Sequence, residues 1–95
     1  MKVTLLQPGL SWEDIENNFL LFERLFSETE QITDMVILPE MFSTGFTMQP
    51  EKFESEELSK IPRWLQEMSD KYDFAIAGSS IAREENKFYN RFYFT

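Results

Sequence analysis

Short runs rich in apolar residues recur along the chain and predict β-strands, and the core of the first run is nearly continuous. They lie at 2–7, 34–38, 74–82 and 87–94, and a proline follows each of the first two. A run without strict alternation is typical of a strand that other elements cover on both faces, and we expect this of 2–7. The small residues Ala75, Ala77 and Gly78 thin the third strand, where something is expected to pack closely.

Between the first two strands, apolar residues recur at helical spacing. One predicted helix face carries Ile15, Phe19, Phe22 and Phe26, and Leu20, Leu21 and Leu25 widen it. Ser11 followed by Asp14 resembles a capping box, so we expect the helix to begin just after Ser11. The pattern fades over 29–33, where the helix should end.

A second helix is predicted over about 59–72, between the second and third strands. Its apolar face consists of Ile61, Trp64, Leu65, Met68 and Tyr72. Pro62 is compatible with this helix if it lies in the first turn, where a missing N–H costs no hydrogen bond. The charged stretch 83–86 then predicts a tight turn into the fourth strand.

The predicted order is β-α-β-α-β-β, which indicates an α/β fold. The two strand–helix–strand units favour parallel pairing, and the last two strands form a hairpin. Only two predicted helices are available to cover the sheet, and the sequence stops within an aromatic strand. We therefore interpret 1–95 as a truncated N-terminal segment of a single larger domain.

Composition and charge exclude several classes of function. The net charge of −8 disfavours nucleic acid as a partner, because phosphate contacts require clustered basic residues. No stretch is basic enough for an anionic membrane surface or apolar enough to span a bilayer. The sequence contains no Cys and no His, so a Cys nucleophile or an imidazole base cannot come from these residues. A cytoplasmic location is the default expectation.

Glu40 is the candidate catalytic residue. It follows Pro39 directly after a predicted buried strand, where functional groups of parallel sheets collect. It lies near the start of a stretch at 39–57 that lacks periodicity and is longer than most connections. Apolar neighbours at 41, 42 and 46 would partly desolvate its carboxylate, as general acid or base catalysis favours. A solvated turn carboxylate fits the same pattern, and spacing alone leaves both interpretations open.

Several longer sequence motifs are similar to those of a known protein family. LPEMF at 38–42 and STGF at 43–46 follow a KVTLLQ start, and AGSSIA and YNRFYF occur at 77–82 and 89–94. Together they resemble the nitrilase superfamily of carbon–nitrogen hydrolases, and within it the omega-amidase branch, which acts on ω-amides of 2-oxo acids such as 2-oxoglutaramate. The resemblance spans essentially the whole chain. It implies the N-terminal part of an α-β-β-α sandwich, assembled as a dimer or larger homo-oligomer.

The resemblance also implies a mechanism for a small-molecule amide substrate. The family uses a Glu–Lys–Cys triad, and Glu40 matches its Glu as general base. The family's Lys and Cys lie beyond the fourth strand, so 1–95 alone should be inactive. Ammonia would leave through a Cys thioester, and the resemblance implies no metal and no cofactor. Phe42 and Phe46 could line the substrate pocket, although we favour packing beside the loop for both.

Other interpretations remain open at the level of sequence. The chain could be a non-enzymatic module that binds a partner through its last aromatic strand. It could also represent an N-carbamoyl amidohydrolase or a nitrilase proper. Asn90 and Arg91 could support the active-site loop or bind a substrate carboxylate, and for Arg91 we favour a structural ion pair.

Overall fold

The computed structural model describes residues 1–29 and 32–95. It contains four strands, two α-helices and one short 3-10 helix. In chain order they are β1 (Val3–Leu5), α1 (Ile15–Thr29), β2 (Met35–Ile37), the 3-10 helix (Pro50–Lys52), α2 (Ser55–Tyr72), β3 (Ala75–Glu84) and β4 (Lys87–Phe94).

The four strands form one mixed sheet in the order β1-β2-β3-β4. β1 pairs with β2 and β2 with β3 in parallel, whereas β3 and β4 form an antiparallel hairpin. The predicted α/β class, the order of the elements and the closing hairpin are therefore confirmed. Within the described residues, no helix is long and apolar enough to cross a membrane.

Both helices bury the apolar faces that their spacing predicts. In α1, Phe22 and Phe26 are completely buried, and Phe19 stacks on Trp64 of α2 with ring centroids 4.4 Å apart. Val36 and Ile76, which face each other across β2 and β3, are buried in the same core. Fully burying a side chain of this size stabilises a fold by about 1.5–3 kcal/mol, so this aromatic core holds the helices against one face of the sheet.

The start of α1 differs from the prediction. The helix begins at Ile15, because Trp12 and Glu13 form a turn in which Glu13 has a positive φ of 53°. Asp14 therefore caps the helix, and its Oδ1 accepts the N–H of Asn17 at 3.1 Å. The capping box that begins at Ser11 was wrong. Of the predicted end at 29–33, positions 30 and 31 lie outside the described residues.

Two details of the predicted helix faces also need correction. Leu20 is 64% exposed and does not widen the buried stripe of α1. α2 begins at Ser55, earlier than predicted. The N–H of the preceding residue, Glu54, donates to Oε1 of Glu57 at 3.3 Å. The first turn of α2 is formed by acidic residues that the sequence pattern assigned to a loop. Pro62 consequently lies inside α2 rather than in its first turn.

The second face of the sheet is only partly covered in this chain. Val3 and Leu5 of β1 are 47% and 63% exposed, so the expectation that β1 is covered on both faces was wrong. Phe92 and Phe94 of β4 are 66% and 65% exposed. One row of paired residues runs across all four strands. It consists of Leu5, Ile37, Ala77 and Phe94 in that order. These residues make one apolar face.

Candidate active site

Glu40 lies just beyond the C-terminal end of β2, as its position after a buried strand predicts. β2 ends at Ile37, and the N–H of Leu38 still donates to the carbonyl oxygen of Ala77 at 2.8 Å. Pro39 has no N–H and cannot continue the ladder. The chain turns away at this point and leaves Glu40 exposed at the carboxyl edge of the parallel strands, where ligand sites of such sheets form.

β3 fixes the backbone directly after Glu40. Met41 has a positive φ of 54°, and its N–H donates to the hydroxyl of Ser79 at 3.1 Å. The N–H of Phe42 donates to the carbonyl oxygen of Ser79 at 3.2 Å. Because the side chain and the backbone of Ser79 both hold the turn, the direction in which Glu40 leaves the strand is defined by β3.

Buried polar groups attach the same turn to α1. Asn18 is completely buried, and its Nδ2 donates to the carbonyl oxygens of Ser11 and Ser43 at 2.8 and 2.7 Å. The hydroxyl of Ser43 also forms a hydrogen bond with the hydroxyl of Ser80. Buried polar groups that are fully paired specify one arrangement, so these contacts join the turn to both layers of the fold.

A further cluster holds the distal part of the long connection. Glu13 accepts hydrogen bonds from the Thr47 hydroxyl and, at 2.9 Å, from the Lys52 ammonium. Its own N–H donates to the carbonyl oxygen of Thr44 at 2.8 Å. The Thr47 hydroxyl and then the Lys52 ammonium hold the pKa of the Glu13 carboxyl below its ordinary value, since both favour the charged form.

Glu40 faces an open groove of about 340 Å³ between the end of β2 and the β3–β4 hairpin. The groove is lined by Leu38, Glu40, Gly78, Ser79, Asn90 and Phe92. Nδ2 of Asn90 donates to Oε2 of Glu40 at 2.8 Å, which joins β4 to the candidate carboxylate. At Gly78 an added Cβ would lie 3.1 Å from Cβ of Leu38, which confirms the close packing expected where β3 is thin.

The structure places the predicted site residues in different surroundings. Glu40 lines the groove, whereas Phe42 is completely buried and packs edge-on against Phe22 with ring centroids 5.7 Å apart. Phe46 is 62% exposed and lies outside the groove lining. The packing interpretation therefore accounts for Phe42 in this chain. Substrate contact by Phe42 or Phe46 stays a prediction.

The expected desolvation of Glu40 by its apolar neighbours was wrong for this chain. Met41 and Phe42 turn into the core, and Glu40 is left on the open side of the turn. Ser79, whose hydroxyl accepts the N–H of Met41, was missed from the sequence. Its signal was a polar residue within a buried strand. Arg91 forms the predicted ion pair, with its guanidinium 3.0 Å from Glu84.

The arrangement can supply one carboxylate proton acceptor at the mouth of a groove that small molecules can enter. A carboxylate in this position is suited to accept a proton from a nucleophile or from water. The sequence contains no Cys or His that could act as a partner to Glu40. A mechanism that uses a Cys nucleophile would therefore take it from outside these residues.

Comparison with known proteins identifies the relatives of this chain. Residues 2–95 match the carbon–nitrogen hydrolase family model. The chain is 37% identical over 92 residues to the omega-amidase YafV of Yersinia enterocolitica and 35% identical over 94 residues to that of Escherichia coli K12. Each alignment covers 97% of this chain and 35% of the relative.

A solved structure shows the same fold. A CN-hydrolase superfamily protein from Xanthomonas campestris, with an arsenic adduct in its active site, superimposes with a TM-score of 0.86 at 28% identity. The match covers 98% of this chain and 35% of that protein, so the chain spans about a third of the length of its relatives. The family model, the sequence relatives and the fold agree, and the chain belongs to the carbon–nitrogen hydrolase family.

Proposed function

We propose that the protein hydrolyses the carbon–nitrogen bond of a small amide and that Glu40 is the general base. The substrate class we propose is the ω-amide of a 2-oxo dicarboxylic acid, similar to 2-oxoglutaramate. Family membership supports amide hydrolysis, and the similarity to two bacterial omega-amidases supports the substrate class. Residues 1–95 would form the N-terminal segment of a single carbon–nitrogen hydrolase domain.

The observation that carries this proposal is the position of Glu40. Its carboxylate stands at the carboxyl edge of the parallel strands and lines the groove, on a backbone that Ser79 fixes and with one oxygen held by Asn90. A solvated turn carboxylate would not need supports from two separate strands. Preorganised geometry of this kind is what general base catalysis requires.

In the proposed reaction, a Cys thiol attacks the amide carbonyl while Glu40 accepts the thiol proton. A Lys ammonium stabilises the tetrahedral oxyanion, and Glu40 returns the proton to the nitrogen, so that ammonia leaves as the carbon–nitrogen bond breaks. Water then attacks the thioester, with Glu40 taking one of its protons. The thiolate leaves, recovers that proton, and the free acid is released.

The Cys and the Lys of this reaction are proposed to come from outside residues 1–95. The sequence contains no Cys, and Lys87 opens β4 rather than following it. We therefore expect the 95-residue segment by itself to be inactive. We also propose a homo-oligomer, which the family resemblance implies and in which a second copy would cover part of the apolar sheet face that includes Phe92 and Phe94.

A substrate panel tests the proposed function. The protein at its natural length is incubated separately with 2-oxoglutaramate, an N-carbamoyl amine and an aliphatic nitrile, and ammonia release is measured. We expect 2-oxoglutaramate to have the highest kcat/KM. Preference for either of the other compounds would mean that the proposed substrate class is wrong, whereas the proposed hydrolysis of a carbon–nitrogen bond would stand. Failure to hydrolyse any carbon–nitrogen bond would favour the non-enzymatic partner-binding module.

A further inference from the structure

Asn90 is a second polar side chain directed at the candidate carboxylate. It lies in the middle of β4, paired with Ile81 of β3, and reaches across the groove to Glu40. Glu40 and Asn90 are 50 positions apart in the sequence, so the contact depends on the fold of the β3–β4 hairpin. Asn90 is exposed and contributes little packing to the core, which leaves its contact with Glu40 as the clearest role for its amide.

The chemistry of the contact suits a positioning role. A neutral amide N–H stabilises a carboxylate by hydrogen bonding but has no proton to transfer, unlike an ammonium or an acid. It holds Oε2 at 2.8 Å and leaves Oε1 to accept the proton from the attacking group. One oxygen is thereby fixed as an anchor, and the other is the one that we assign to proton transfer.

β3 and β4 each hold a different part of the turn at Glu40. The Ser79 hydroxyl of β3 accepts the N–H of Met41 and holds the backbone, whereas Asn90 of β4 holds the carboxylate itself. We propose that Asn90 is a positioning residue that orients the Glu40 carboxylate for proton transfer. The inference rests on the proposed function, because it assigns to Asn90 an effect that acts through Glu40 as general base.

Two substitutions at position 90 test this inference in the protein at its natural length. Asn90→Ala removes the donor, and we expect kcat for amide hydrolysis to fall about tenfold while KM stays within about twofold. Asn90→Asp keeps the shape but places a second carboxylate next to Glu40. Because like charges repel at this distance, we expect Asn90→Asp to lose more activity than Asn90→Ala.

The order of the two variants separates positioning from a structural role. If Asn90 served only packing or the hairpin, the isosteric Asn90→Asp would be the milder change. Asn86→Asp is the matched control, because it adds the same charge in the turn of the same hairpin, outside the groove lining. We expect the control to keep the activity and the melting temperature of the unmodified protein.

Two outcomes would overturn the inference. One is Asn90→Asp retaining more activity than Asn90→Ala, and the other is wild-type kcat in both variants while Glu40→Gln is inactive. If Glu40→Gln itself keeps full activity, the proposed general base is wrong, and that failure is distinguishable because it occurs with Asn90 intact. A fall in activity that appears only as a raised KM would assign Asn90 to substrate binding and would also overturn the positioning role.

Discussion

Single residues at the turn after β2 control how the loop is attached to the helices. Gly45 has a positive φ of 77°, and Trp12 lies against it so closely that an added Cβ would be 3.1 Å from Cε3 of the indole. Its N–H donates to the carbonyl oxygen of Met41 at 2.8 Å, which closes the turn. Both the backbone conformation and the space at this position favour glycine.

Gly45→Ala is therefore expected to destabilise the protein. An L-residue in the left-handed region costs about 1–2 kcal/mol, and the contact with Trp12 adds to this value. Gly9→Ala is the control, because an added Cβ at Gly9 meets nothing within 4 Å. Urea denaturation of both variants measures the difference in the free energy of unfolding. Equal stability of the two variants would contradict this account of the turn.

The sequence predicted some residue-level features and missed others for a physical reason. The position of Glu40 was predictable because it depends on the local order of strand, proline and acid. Its exposure, its contact with Asn90 and the contact of Met41 with Ser79 depend on how the β3–β4 hairpin docks beside the turn. Such contacts between residues 38 to 50 positions apart leave no periodic signal in one sequence.

The helices, too, have features that the local sequence predicts and features that depend on the rest of the fold. Their buried faces were predictable because apolar spacing at 3.6 residues is a property of each helix alone. Their first turns were not, since Trp12 and Glu13 are recruited into contacts with the loop, and an acidic stretch supplies the start of α2. Tertiary contacts thus override the local capping signal at the start of α1, whereas α2 begins at a local contact between Glu54 and Glu57.

The buried face of α1 gives a quantitative prediction. Phe26 is completely buried and contacts Trp64, Tyr72 and Phe74, so Phe26→Ala should reduce the free energy of unfolding by about 3–5 kcal/mol. Leu20→Ala, on the exposed side of the same helix, should change it by less than about 0.5 kcal/mol. Chemical denaturation checks both values. Similar losses in the two variants would contradict the assigned faces.

The cluster around Glu13 predicts a dependence of stability on pH. The pKa of the Glu13 carboxyl in the folded state is lowered below the ordinary value of 4.5. The contribution of this carboxylate to the free energy of unfolding is therefore complete above about pH 4.5. It is lost as the pH falls through the lower pKa of the folded state, when the carboxylate becomes protonated. We expect Glu13→Gln to flatten the loss of stability below about pH 4.5. An unchanged pH profile of melting temperature in that variant would exclude the cluster as a source of acid sensitivity.

At the scale of the whole molecule, the sheet is covered by helices on one face and keeps exposed apolar residues on the other. The 95-residue segment should therefore self-associate or unfold without cooperativity when it is isolated. Replacing Phe92 and Phe94 together by Lys should reduce association in sedimentation velocity experiments. Met48→Lys, at a residue that is 89% exposed and outside the sheet, should not. A cooperative thermal transition of a monomeric segment at low concentration would contradict this prediction.

We propose Glu40 as the proton acceptor in amide hydrolysis, and one substitution shows whether it has this role. In the protein at its natural length, Glu40→Gln keeps the shape of the side chain and removes the base. Glu51→Gln makes the same change at an exposed acid outside the groove. We predict that kcat/KM for 2-oxoglutaramate falls at least about 100-fold in Glu40→Gln and is unchanged in Glu51→Gln, with equal melting temperatures. Hydrolysis by Glu40→Gln at the unmodified rate would mean that Glu40 is not the general base.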